Sequence, residues 1–350
     1  MFGTGEFFTE LVKRFSVPGS GTHVHVLLHS TNGIDAQEAG AEQCEEPFEI
    51  NARLWICRLP NELRDAVYKA CEPPGEPYES AFRQYGQLYT ISMFLGSNTP
   101  GTITSWDGYG LVTKVVAFSQ LIHPTSIGFA STAVLRFDDD GSFRQATPGP
   151  CRGITEHAFV IPGMRNWLSK SECERIKDLY SSTDFGSLPE RVARAHWNVQ
   201  HAAFQFFFEV RTMLVAAGLD ALVHVRNEAK GIGTGQQFTE RTVTLAKDLG
   251  VQFTTDDAKA LWEHRSDVAH GRDPWQSIRD PNDPKWQVPE LRRNDPMVRR
   301  YHAGEEILRR TVLKCLTDQQ FADRFASDDA VKKSYPIVFH ARPKGNKHKP

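Results

Sequence analysis

The chain has 350 residues, 40% of them hydrophobic, and its 41 Lys and Arg against 43 Asp and Glu leave a net charge of −2. That length accommodates two domains with separate cores. The near-zero charge excludes a globally basic nucleic-acid binder while leaving room for local patches. The cysteines Cys44, Cys57, Cys71, Cys151, Cys173 and Cys315 include no Cys-x-x-Cys pair. Their spacing argues against a zinc ribbon or a disulfide-dense secreted domain and fits a reduced cytosol. The start, MFGTGEFFTELVKRF, carries acids early and lacks the apolar core of a signal peptide. No stretch approaches the roughly 18 consecutive apolar residues of a membrane-spanning helix, so a cytoplasmic protein without a membrane partner is expected.

Residues 1–162 read as an α+β domain with a largely antiparallel sheet, in the role of a sensor or recruitment module. THVHVLLHS and FEINARLWICRLP alternate apolar and polar residues, as half-buried strands do. NELRDAVYKAC predicts a short helix capped by Asn61, with Leu63, Val67 and Ala70 on one face. CEPPGEP breaks the chain, and FRQYGQLYTISMFLG fits either a strand or a helix. HPTSIG (123–128) reads as a polar segment between strands, and TAVLRFDDDGSFRQATP as a hairpin about an Asp-Gly turn.

Residues 163–325 read as an all-helical bundle and 326–350 as a solvated basic tail. The segment 189–226 predicts one long helix opening at Pro189, bent at Gly218 and buried on most sides. KGIGTGQQ is a loop, and FTERTVTLAKDLG is a helix ending at Gly250. TTDDAKALWEHRSDVAHG is a helix with Thr254 and Asp257 in capping-box spacing and Gly271 at its end. After a loop rich in Pro and Asp, Asp295-Pro296 opens a further helix.

On a wheel of about 100° per residue, Ala258, Leu261, Trp262, Val268 and Ala269 gather into one arc with Arg265 near its middle. A guanidinium there needs a carboxylate, a carbonyl cluster or a subunit interface. His270 follows in the last turn, where the helix dipole favours the protonated ring. An Arg and a His so placed can bind a phosphodiester, stabilise its extra negative charge and move a proton at a ribose 2′-hydroxyl. That chemistry requires no metal and no cofactor.

LWEHRSDVAHG resembles the signature of the HEPN superfamily, an Arg followed a few residues later by a His near a helix end. The order of elements over roughly residues 190–316 is similar to the Apea-like branch: an acidic position in GLDALVH, an Arg in FTERTVTLA, then the Arg–His helix. The resemblance implies a helical bundle that dimerises through the Arg–His face, so that two copies form one composite cleft. Active members are metal-independent endoribonucleases in antiviral defence, toxin–antitoxin or RNA-processing systems. Carried over, the resemblance gives Arg265 the scissile phosphate of a single-stranded RNA and His270 the acid–base role or the positioning of the 2′-hydroxyl. Asp220 orients Arg265, and Arg241 matches the second conserved element. Ser266 follows the Arg, where many members carry Asn, Asp or His. The alternative is a catalytically silent HEPN bundle that serves as a dimerisation or partner-binding scaffold, with an antitoxin or defence protein as the partner.

Other features have plainer readings. His23, His25 and His29 share one strand face, which is metal-ligand spacing in principle, but no Asp, Glu or Cys completes a set nearby. Exposed strand histidines are the favoured account. Were they a metal site, the N-terminal domain would itself be an enzyme. Asp138, Asp139 and Asp140 lack the alternating ligands of a calcium loop and belong to the hairpin turn. GIGTG (231–235) follows a helix and lacks the Gly-Lys ending of a phosphate loop, and FQFFF (204–208) is core or dimer surface.

Overall fold

The computed structural model describes residues 46–58 and 60–69 in part, together with 105–123, 131–148, 168–203, 205, 208–271 and 296–337. It also gives the backbone of 22–28 and 89–95 and a few helical residues near the N-terminus. The fold is α+β, and the chain divides into two units, Met1–Thr183 with Ala203–Phe208, and Asp184–Ala202 with Glu209–Pro350.

In the first unit six strands form one antiparallel sheet: β1 (Thr22–Leu28), β2 (Phe48–Asn51), β3 (Leu54–Arg58), β4 (Tyr89–Leu95), β5 (Ser131–Phe137) and β6 (Phe143–Pro148). Their spatial order is β2-β3-β4-β1-β5-β6. The histidine strand β1 is therefore central, with His25 opposite Met93 on one side and Val134 on the other. Of FRQYGQLYTISMFLG, the described part Tyr89–Leu95 is strand β4. Strand β2 alternates as predicted, and β5 forms the first arm of the predicted hairpin. On β3, however, Leu54, Trp55, Ile56 and Cys57 are all buried, so this strand is covered on both faces rather than one.

Two helices pack on the sheet, α1 (Ser105–Ile122) and α2 (Lys170–Ser182). The sequence reading did not anticipate α1. Val115, Val116, Ala117, Phe118 and Ser119 are buried in succession, and a helix covered on most sides has no amphipathic period to detect. HPTSIG accordingly follows a helix rather than a strand; of it only His123 is described. Helix α2 opens with a Ser169–Glu172 capping box and buries Cys173, Ile176 and Leu179. It packs against α1 and β2, so the first unit runs through Thr183 and not to the expected 162. The Asp-Gly hairpin turn forms as predicted. Gly141 sits at φ +84, and Asp140 accepts hydrogen bonds from the backbone N (2.9 Å) and Oγ (2.6 Å) of Ser142.

Among the described residues the regular elements of the second unit are all helical: α3 (Glu190–Ala203), α4 (Phe208–Val223), α5 (Thr234–Asp248), α6 (Thr255–Ala269), α7 (Pro296–Thr317), α8 (Gln319–Ala322) and α9 (Asp328–Ser334). The single bent helix expected over 189–226 is two helices, α3 and α4, with the chain out of helical conformation at Gln205. Aromatic residues lose rotamer freedom in helices, so the FQFF run does not enforce continuity. Gly218 lies inside α4 and serves close packing instead of a bend. A Cβ there would stand 2.9 Å from Leu308 Cδ1 and 3.2 Å from Asn198 Cβ. Gly304 plays the same part on α7, where a Cβ would stand 3.0 Å from Val215 and 3.2 Å from Leu261. The expected tail begins later than residue 326, because Val331 and Tyr335 are fully buried.

His196, stacked on Phe185 at 4.4 Å, has a buried Nε2 without a hydrogen-bond partner. Burial pushes its imidazole down to about 4 from the ordinary 6.5. The unfolded chain then binds this proton more tightly than the folded one. Its contribution is intact above pH 6.5 and is lost as pH falls toward about 4, by on the order of 3 kcal/mol. His196→Phe should flatten the acid side of a plot of melting temperature against pH. An unchanged slope between pH 6.5 and 4 would refute this.

Candidate active site

Helix α6 carries the Arg–His pair, and both of its ends form as the sequence predicts. Thr254 Oγ1 accepts from the Asp257 backbone N (3.1 Å), while Asp257 Oδ2 accepts from the Thr254 N (3.1 Å) and Oγ1 (2.6 Å). Arg300 of α7 donates to the other oxygen of Asp257 at 3.0 Å, tying the start of α6 to its neighbour. At the far end Gly271 takes φ +67, which favours glycine, and the backbone N–H of His270 bonds the Ser266 carbonyl at 3.0 Å. His270 is the C-cap residue, and it is exposed. Ser266 contributes its carbonyl to that cap.

Arg265 does not occupy the middle of the buried face. Ala258, Leu261 and His264 form the buried stripe, while Trp262, Arg265 and Val268 flank it and Ala269 is exposed. The rotation has a physical reason: at the margin a guanidinium buries its stem and keeps its head partly in water. Its side chain is 30% exposed, and Nη2 lies 3.3 Å from Asp220 Oδ2. The guanidinium also stacks 4.7 Å over the Trp262 ring, which in turn packs on Phe238 of α5. The structure thus joins two of the expected site residues, Arg265 and Asp220.

Asp220 is the unusual member of the pair. Burial raises its carboxyl above the ordinary value, outweighing Arg265, His224 and Arg191, which all pull it down. Its Oδ1 is buried with no hydrogen-bond partner. As pH falls, the pair therefore opens earlier than an ordinary Asp–Arg pair would.

The end of α4 that carries Asp220 is held by a residue the sequence reading missed. Arg191 of α3 donates to the carbonyls of Ala221, at 3.4 Å, and of His224, and pairs with Asp328 at the start of α9. Asp328 also accepts from the Arg226 backbone N at 3.0 Å. An arginine in the first turn of a helix opposes the helix dipole, and that was the available signal.

Arg241 does not line this site. It is 1% exposed and its donors are committed elsewhere: Nε to the Tyr335 carbonyl (3.0 Å), Nη1 to the Val223 carbonyl and Gln237 Oε1 (both 3.1 Å), and Nη2 to Glu228. Its role is to lock the loop after α4 and the chain after α9 onto α5. A second buried charge group, also unforeseen, joins Arg211 of α4 to Tyr301, Glu305 and Arg309 of α7. Arg211 stacks 5.3 Å over the Tyr301 ring. Burial alone would raise the Glu305 carboxyl, but His302, Arg309 and Arg211 together hold it below its ordinary value.

Among the described residues no group of three or more His, Cys, Asp or Glu is arranged to hold a metal ion. The side chains of His23 and His25, and the whole of His29, lie outside the described residues, as does most of FQFFF. GIGTG forms the turn into α5, with Gly231 at φ +98 and Gly233 as N-cap. The described cysteines Cys57, Cys173 and Cys315 are buried. No described helix is long and apolar enough to cross a membrane. Comparison of the chain with family models, curated proteins and solved structures returns no match.

Proposed function

We propose that the second unit is a metal-independent endoribonuclease of HEPN type, acting as a homodimer on single-stranded RNA in defence or toxin-like cleavage. The observation that carries this reading is Arg265, partly exposed and held by Asp220, on a helix whose exposed C-cap is His270. In this reading Arg265 binds the scissile phosphate and stabilises the charge that builds on it. An imidazole removes the 2′-hydroxyl proton, the 2′-oxygen attacks phosphorus, and the 5′-oxygen leaves, taking up a proton from a protonated imidazole or from water. The products are a 2′,3′-cyclic phosphate and a 5′-hydroxyl end.

His270 lies five positions beyond Arg265, about 140° around a regular helix. The two side chains of one chain therefore point apart, and a two-fold pairing of α6 with its copy is the simplest way to bring an Arg and a His onto one phosphate. Purified protein should cleave single-stranded RNA in EDTA, and Arg265→Ala and His270→Ala should each abolish cleavage. Retained cleavage in both variants would remove these residues from the reaction. A stable dimer that leaves RNA intact would instead make the unit a scaffold for a partner such as an antitoxin.

A further inference from the structure

We propose that His224 is a second proton-transferring group of this site, acting on the same phosphodiester as Arg265 and His270; the inference rests on the ribonuclease reading above. The helical path of α4 continues one step past Val223, because the His224 backbone N–H bonds the Asp220 carbonyl at 2.9 Å. Residues four apart on a helix share a face, so the imidazole of His224 and the carboxylate of Asp220 lie side by side. Asp220 Oδ2 holds Arg265 at 3.3 Å. Asp220 thus links Arg265 and His224 within one chain.

Two polar atoms in this patch are left without partners. Asp220 Oδ1 and His224 Nδ1 are both buried and neither makes a hydrogen bond. Buried polar groups are nearly always satisfied, and exceptions concentrate where a ligand or a proton is handled. The mount of the ring is rigid: Arg191 donates to the carbonyls of Ala221 and His224 and is itself held by Asp328. Asp220, on the same helix, interacts electrostatically with the ring, and Arg191 of α3 reaches the backbone carbonyl of His224.

Cleavage by the 2′-hydroxyl moves two protons, one off the 2′-oxygen and one onto the departing 5′-oxygen. As the O2′–P bond forms and the P–O5′ bond breaks, a neutral imidazole takes the first proton and a protonated imidazole gives the second. The two rings then exchange protons with water to reset. His224, on the same helix face as Asp220, takes the donor role and His270 that of the base.

The test is single-turnover cleavage of a single-stranded oligoribonucleotide across pH by wild type, His224→Gln, His224→Asn and His270→Gln. A second substrate carries sulfur in place of the bridging 5′-oxygen, a leaving group that needs no proton. Both His224 variants should lose roughly 100-fold or more in rate on the oxygen substrate. They should also lose the alkaline limb of the profile, with KM within a few-fold of wild type. The sulfur substrate should restore their rate and not that of His270→Gln. An unchanged profile in both His224 variants, with Arg265→Ala still inactive, overturns the inference and leaves the ribonuclease reading standing. A rate loss that sulfur does not rescue overturns it as well, marking His224 as structural. A wild type without activity overturns both.

Discussion

Replacing Arg241 by alanine is expected to destabilise the second unit by about 3–5 kcal/mol, because a buried ion pair broken on one side leaves its partners uncompensated. The side chain is 1% exposed and serves Glu228, Gln237 and the carbonyls of Val223 and Tyr335 at once. Its loss strands two carbonyls and a carboxylate and unties the chain after α9. Arg241→Lys should recover little, since one ammonium cannot reproduce a planar fork of donors. Urea unfolding midpoints measure the effect. A loss below about 1 kcal/mol, the range of exposed pairs, would show that the cluster is not holding the unit together.

Arg265→Ala should do the opposite. Its pair with Asp220 is partly exposed, so stability should change by no more than about 1 kcal/mol. RNA cleavage, in contrast, should fall by about 100- to 1,000-fold, the scale of losing one preorganised group at a developing charge. The dimer reading adds a sharper expectation. Mixing Arg265→Ala subunits with His270→Ala subunits should restore activity, because each heterodimer keeps one Arg265 and one His270 across the interface. Heterodimers that form and stay inactive would place each pair within a single chain.

Much of this organisation is legible in the sequence where a local signal is unambiguous. Thr254 with Asp257 and Gly271 set the limits of α6, and Asp138–Gly141 sets the hairpin, because caps and positive-φ turns are written in a few adjacent residues. The acidic residue of GLDALVH and the Arg of the next-but-one helix meet in space. What was hidden depends on packing. The described second half of helix α1 is buried on most sides and has no periodicity to read. Arg265 sits beside its apolar stripe rather than in it, a rotation that His264, taking the buried place, makes possible. Arg241 looked like a site residue because a motif records identity and not exposure. Arg211, Glu305 and Arg309 read as an ordinary charged helix surface until α4 and α7 are brought together.

The most direct measurement of the central claim uses an oligoribonucleotide incubated with the wild-type protein in EDTA, beside the same oligonucleotide with a single 2′-deoxy substitution at the cleaved position. Cleavage of the first, to a 2′,3′-cyclic phosphate and a 5′-hydroxyl end, with the second left intact, is the predicted result. Cleavage of the 2′-deoxy substrate, or activity that EDTA removes, would contradict metal-independent attack by the 2′-hydroxyl at a phosphate held by Arg265.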